Sequence, residues 1–99
     1  MADDPLMNDP QAFELLSPDR QDFLLNWIDR NLLPIQSFNP RHTSYGLKQW
    51  ISEDKEYFTN GEFKGAMLKA GYKVQNRSAL NWVFNVSEKS PIIQRKQKR

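Results

Sequence analysis

His42 is the chain's one histidine, and it stands beside Arg41 and the hydroxyls of Thr43 and Ser44. A base next to a hydroxyl is the start of a nucleophile-activation argument. That chemistry also needs a third group to orient the base and donors for an oxyanion, and no residue pattern supplies either. An ordinary loop or cap role accounts for His42 with fewer demands. Glu53, Asp54 and Glu56 match a metal cluster by number alone, and a solvated helix end explains them better. With no cysteine there is no thiolate nucleophile, no disulfide framework and no Cys-ligated zinc. The sequence is read as a non-enzyme without metal or cofactor.

Amide and basic side chains offer a different chemistry. Asn60, Lys64 and Lys69 fall on a helix expected over residues 59–71. Lys73 and Arg77 fall on a ribbon expected over 72–86, and Arg95 and Lys96 in a basic end. Bases on a helix and on a neighbouring ribbon tip are what a phosphate backbone needs, and amides can read base edges. On the helix face away from Phe63 and Met67 stand Gly61, Gly65 and Leu68. Two helical glycines each cost about 1 kcal/mol relative to alanine, so something must come close to that backbone. Three occupants fit: a DNA groove, another part of this chain such as its N-terminal extension, or a partner protein.

Charge is nearly balanced overall, at +2, but poorly mixed. Residues 1–33 hold seven acids against Arg20 and Arg30, net −5; residues 34–99 hold twelve bases against five acids, net +7. Such a split suits a polyanion partner for the basic part, or attraction between the two halves. No apolar run approaches the roughly 20 residues of a membrane span, and the acidic start is unlike a signal peptide. The expected setting is the cytoplasm, with no membrane partner. Ninety-nine residues suffice for one domain.

The elements that must position these residues follow from local signals. Residues 1–8 are polar and expected to fray, and Asp9-Pro10 starts a short turn reaching Leu16. Ser17-Pro18-Asp19 opens an amphipathic helix over 18–31 with Phe23, Leu24, Trp27 and Ile28 on one stripe. Pro34 and Pro40 break the helix. Thr43 or Ser44 caps a second helix carrying Leu47, Trp50 and Ile51. Thr59 and Glu62 form a capping box for the third, which Gly71 stops. Leu80, Trp82, Phe84 and Val86 alternate with Asn81, Val83 and Asn85 as a half-buried strand does. Ile92 and Ile93 can touch the body ahead of a basic tail.

This order predicts an α+β fold of small winged helix-turn-helix type: three helices plus a C-terminal β-hairpin, with a short helical N-terminal extension. The expected divisions are an acidic extension at 1–16, the domain at 17–90 and a flexible basic tail at 91–99. The core should gather Phe23, Leu24, Trp27, Ile28, Leu47, Trp50, Ile51, Phe58, Phe63, Met67, Leu80, Trp82 and Phe84. The runs 42–50 (HTSYGLKQW), 57–67 (YFTNGEFKGAM) and 81–86 (NWVFNV) resemble small proteins carried by prophages and other mobile elements of Gram-positive bacteria. More loosely, they resemble the winged-helix domains attached to phage-type primases and helicases. The resemblance spans roughly residues 20–90 and implies a mobile-element context where DNA-binding accessory proteins are frequent; it assigns no residue a role.

The leading expectation is a non-enzymatic DNA-binding accessory module contacting double-stranded DNA through Asn60, Lys64, Lys69, Lys73, Arg77, Arg95 and Lys96. The alternative is a protein-interaction adaptor using the Gly61/Gly65/Leu68 face or the acidic first helix.

Overall fold

The computed structural model describes residues 6–53 and 56–97. Its helices begin where side chains can satisfy their free amides. Asp9 accepts from the Gln11 amide and opens a 3-10 turn, Pro10–Leu15. The Ser17 hydroxyl accepts from the Arg20 amide at the start of α1, Pro18–Asn31, with proline at the first position and Asp19 in the first turn. Thr43 does the same for Gly46 at the head of α2, Ser44–Ser52. The third helix, α3 (Asn60–Lys69), carries the full capping box. The Glu62 amide donates to Thr59 Oγ1 at 3.1 Å and the Thr59 amide to Glu62 Oε1 at 2.8 Å.

The end of α3 is equally well defined. Gly71 adopts φ +94°, its amide donates to the Leu68 carbonyl, and the Tyr72 amide reaches the Met67 carbonyl. That paired return is a Schellman closure, with Tyr72 and Met67 both in the core beside it.

Helix α3 is the centre of the molecule and is buried nearly all round. Asn60, Gly61, Phe63, Lys64, Gly65, Ala66 and Met67 are all inaccessible. The 3-10 turn packs on one side of it, and α1 and α2 pack against it as well. A helix wrapped on every side is an interior element. Phe13, from the expected extension, is 2% exposed and belongs to this core with Leu24, Ile28, Leu47, Phe58, Phe63 and Phe84. Leu80 is not a core residue: it is 63% exposed in the turn that precedes the buried run.

The winged helix-turn-helix is not this protein's fold. Among the described residues there is no β-strand, and the expected C-terminal hairpin is reduced to isolated bridges. Residues 82–86 are extended, as the alternation predicts, but they share their backbone among three partners. Val74 bridges Phe84, Thr43 bridges Val83 and Pro34 bridges Val86. The Gln75 amide donates to the Val83 carbonyl, Ser44 exchanges bonds with Trp82, and the Ile35 amide donates to the Asn85 carbonyl. No one neighbour runs alongside for long enough to make a ladder.

A side chain replaces part of that ladder. Asn85 is 7% exposed, not the wet residue that alternation predicts. Its Oδ1 accepts from the Lys73 amide at 2.7 Å and its Nδ2 donates to the Ile35 carbonyl at 2.8 Å. The result is a mostly helical globule of four α-helices and one 3-10 turn across the described residues. The last helix, α4 (Pro91–Gln97), forms where a flexible tail is expected, and buries Ile92 and Ile93. Residues 1–5, Asp54 and the last two basic residues of the expected tail lie outside the described residues.

Candidate functional site

Two of the expected nucleic-acid contacts, Asn60 and Lys64, meet inside the protein, with Arg77 exposed nearby over the Trp82 ring. Lys64 is 3% exposed; its ammonium donates to the Asn8 carbonyl at 3.0 Å and stands 4.8 Å from the Trp82 ring centre. Burial lowers its pKa, and the charge of Asp9 opposes that shift. Arg77 lies 5.9 Å from the same ring and accepts the indole N–H on its carbonyl. Asn60 Nδ2 faces Asn8 Oδ1, the Leu80 carbonyl and Asn81 Oδ1. Asn60 and Lys64 hold the N-terminal segment down, a job completed by the Gly61 amide donating to the Met7 carbonyl at 2.7 Å.

The glycine face of α3 has its occupant already. A methyl group on Gly61 would overlap the backbone of Leu6 and Asp9; one on Gly65 would overlap the Pro10 carbonyl and Phe13 Cβ. The extension itself is what comes close to that backbone. An adaptor surface built on Gly61 and Gly65 is therefore not available in this fold.

The remaining bases are dispersed. Lys69 sits at the far end of α3, about 14 Å along the axis from Asn60. Lys73 is exposed in the segment that follows. On α4, Arg95 donates to Asn31 Oδ1 at 2.6 Å and Lys96 pairs with Glu53. No shared positive face runs from Lys64 through Lys69 and Lys73 to Arg77, because its first member is sealed beneath the N-terminal segment.

His42 belongs to a clasp that sequence spacing did not suggest. Its Nε2 lies 2.7 Å from Glu88 Oε2, an ion pair whenever the imidazole is protonated. Asn39 Nδ2 donates to that carboxylate at 2.6 Å and to the Val86 carbonyl, Gln97 donates to Glu88 Oε1, and Arg41 stands 3.9 Å away. The Asn39 hydrogen bond, followed by the charge of His42, holds the Glu88 carboxyl below its ordinary range. The neighbouring hydroxyls are engaged as well: Thr43 caps α2, and Ser44 Oγ accepts from the Trp82 amide. Among the described residues no three His, Asp or Glu side chains converge on a metal site.

The clasp has a pH signature. A carboxyl with a lowered folded pKa adds stability above its unfolded value, and that stability is lost as pH falls through the folded one. Melting the parent and Glu88→Gln from neutral pH to below the usual carboxylate value of 4.5 should show the gap between them closing on acidification. Parallel curves would contradict the clasp.

The surface also displays an apolar patch. Leu33, Ile35 and Phe38 are 44%, 38% and 36% exposed on one loop. Beside them a cleft of about 510 Å3 runs between the C-terminal half of α1 and the end of α3. Leu25, Ile28, Leu32 and Tyr72 contribute its walls, with Asp29 and Lys69 also lining it. Burial, and then the Asp29 charge, push the Tyr72 hydroxyl up to about 12, so it stays a neutral donor. No helix among the described residues is long and apolar enough to cross a membrane. No family model, curated protein or solved structure matches the chain.

Proposed function

We propose that the chain is a non-enzymatic protein-interaction module. It presents the loop at 33–38 and the adjoining cleft along acidic α1 to a partner segment that is apolar with a basic flank. The observation that carries this reading is the manner in which the apolar loop is held. The Leu33 amide donates to Ser90 Oγ at 2.8 Å, and the Ser87 amide to the Leu33 carbonyl at 2.7 Å. Ile35 is bonded through both its amide and its carbonyl to Asn85, and the Asn39 amide donates to the Phe84 carbonyl. A loop tied this firmly cannot turn its apolar side chains inward, so they are displayed in a fixed arrangement. Display of that kind lowers the ordering penalty of binding and marks interaction sites.

Charge supplies the second half of the partner's description. Asp19, Asp22 and Asp29 are exposed along α1, and Asp29 reaches the cleft. A segment with lysine or arginine beside its apolar anchors is steered there. Duplex DNA meets an acidic helix on this side and a dispersed set of bases elsewhere, which is why the DNA reading ranks below.

Selection of a random-peptide display library against the folded chain tests the proposal, with a Leu33→Glu/Phe38→Glu variant as counter-target. Both positions are exposed enough to change without unfolding the core. Enriched peptides should carry apolar and basic residues together and bind the variant at least about tenfold more weakly, equivalent to about 1.4 kcal/mol. Peptides indifferent to the variant would overturn the reading. So would the absence of enrichment alongside salt-dependent binding of duplex DNA.

A further inference from the structure

The cleft beside the apolar loop has walls of opposite charge. Asp29 stands on the α1 wall, and Lys69, the last residue of α3, on the wall facing it. Asp22 is exposed two helical turns before Asp29, on the same face of α1. Lys73, also exposed, follows Lys69 through the turn at Gly71. The Asn85 side chain ties the Lys73 amide to the Ile35 carbonyl, which seats Lys73 next to the apolar loop. Among the described residues none of these four side chains has an ion-pair or hydrogen-bond partner, although Asp29 and Lys69 border one cleft.

Between those walls the surface is apolar. Leu25 and Leu32 line the cleft, and Leu33 carries that lining out to Ile35 and Phe38 on the displayed loop. An exposed apolar loop thus adjoins an apolar recess, with acids to one side and bases to the other. Such a patch is complementary to itself. Turned about a two-fold axis, each loop meets a recess and each acid meets a base. A foreign peptide with a basic flank would satisfy α1 and leave Lys69 and Lys73 unpaired. Any polyanion would meet Asp22 and Asp29. A net charge of +2 sets little repulsion against the pairing of two copies.

We propose that the occupant of this surface is a second copy of the chain, joined across a two-fold axis as a homodimer. The loop at 33–38 of each copy seats in the cleft of the other. Asp22 and Asp29 of each copy meet Lys69 and Lys73 of the other. The inference names the partner for the interaction surface proposed above, and it rests on that reading. A two-fold pairing uses the same patch on both copies, so association closes at two.

Sedimentation equilibrium of the full chain from about 10 μM to about 1 mM tests this, the span over which a small interface of modest affinity fills. The weight-average mass should rise from 11.7 kDa and level at twice that value. Asp29 and Lys69 are exposed, so reversing either charge leaves the core intact. Asp29→Lys and Lys69→Glu each set like charges at both symmetry-related contacts, and each alone should weaken association at least about tenfold. Mixed in equal amounts, the two variants should associate again, because every acid then meets a base across the axis. Leu33→Glu/Phe38→Glu should stay monomeric. A mass of 11.7 kDa throughout would overturn the proposal. So would growth past two copies, a dimer that any of these variants leaves intact, or no recovery in the mixture. Peptides that bind the loop of a strictly monomeric chain would sink the homodimer and leave the interaction surface standing. A dimer lost in Leu33→Glu/Phe38→Glu, with no peptide enriched, would uphold the homodimer and remove the peptide partner.

Discussion

Truncating Phe13 to alanine is expected to remove about 4 kcal/mol of stability, within the range for a large buried aromatic. The residue is 2% exposed and lies in the main core, although the sequence places it in an extension outside the domain. Leu15, two positions on and 71% exposed, is the internal control, and Leu15→Ala should change stability by less than about 0.5 kcal/mol. Urea unfolding of the three proteins measures both. A loss below about 1 kcal/mol for Phe13→Ala would mean that the N-terminal segment is an appendage and that α3 is uncovered.

Gly65→Ala should be destabilising, against the usual sign. Within a helix that exchange normally gains about 1 kcal/mol. At Gly65 the new methyl meets the Pro10 carbonyl and Phe13 Cβ, and backbone cannot swing aside as a flexible side chain can. A net loss of about 2 kcal/mol follows from overpacking against the propensity gain. Gly46 on α2 supplies the contrast. A methyl there comes no closer than 4.0 Å to anything outside its own turn, so Gly46→Ala should stabilise. Thermal melts of the two variants should move in opposite directions, and a rise in both would contradict the packing described here.

What was legible in the sequence was whatever is decided within a few residues. Ser17-Pro18, Thr43 and the Thr59/Glu62 pair fix the starts of α1, α2 and α3 through bonds made inside their own first turns. Gly71 fixes the end of α3 in the same local way. The alternation from Leu80 to Val86 implied a hairpin strand; Trp82, Phe84 and Val86 are buried, but Leu80 is exposed and no strand forms among the described residues. It could not say where the backbone bonds would go. Asn85 looks like the wet face of a strand by period, yet its amide joins Lys73 to Ile35, positions twelve and fifty residues away. Ile92 and Ile93 read as apolar residues able to touch the body, but the basic residues around them hide the helix that carries them.

The glycine pair shows the same limit from the other side. Gly61 and Gly65 rightly implied close approach to the α3 backbone, and spacing alone left DNA, the chain's own extension and a partner protein all open, with DNA foremost. The difference lies in Phe13 and in the Asn8 carbonyl that accepts a hydrogen bond from the Lys64 ammonium, neither of which has a local sequence signal.

The claim beneath all of this is that the N-terminal segment and the glycine face of α3 are one packing unit, leaving interaction to other surfaces. A double-mutant cycle on Phe13→Ala and Gly65→Ala measures it most directly, because residues in contact couple and independent ones add. Once Phe13 no longer anchors the segment, the Gly65 methyl meets less resistance. The double variant should therefore be more stable than the sum of the single losses by at least about 1 kcal/mol. Additivity within about 0.5 kcal/mol would contradict it and return the α3 face to the surface.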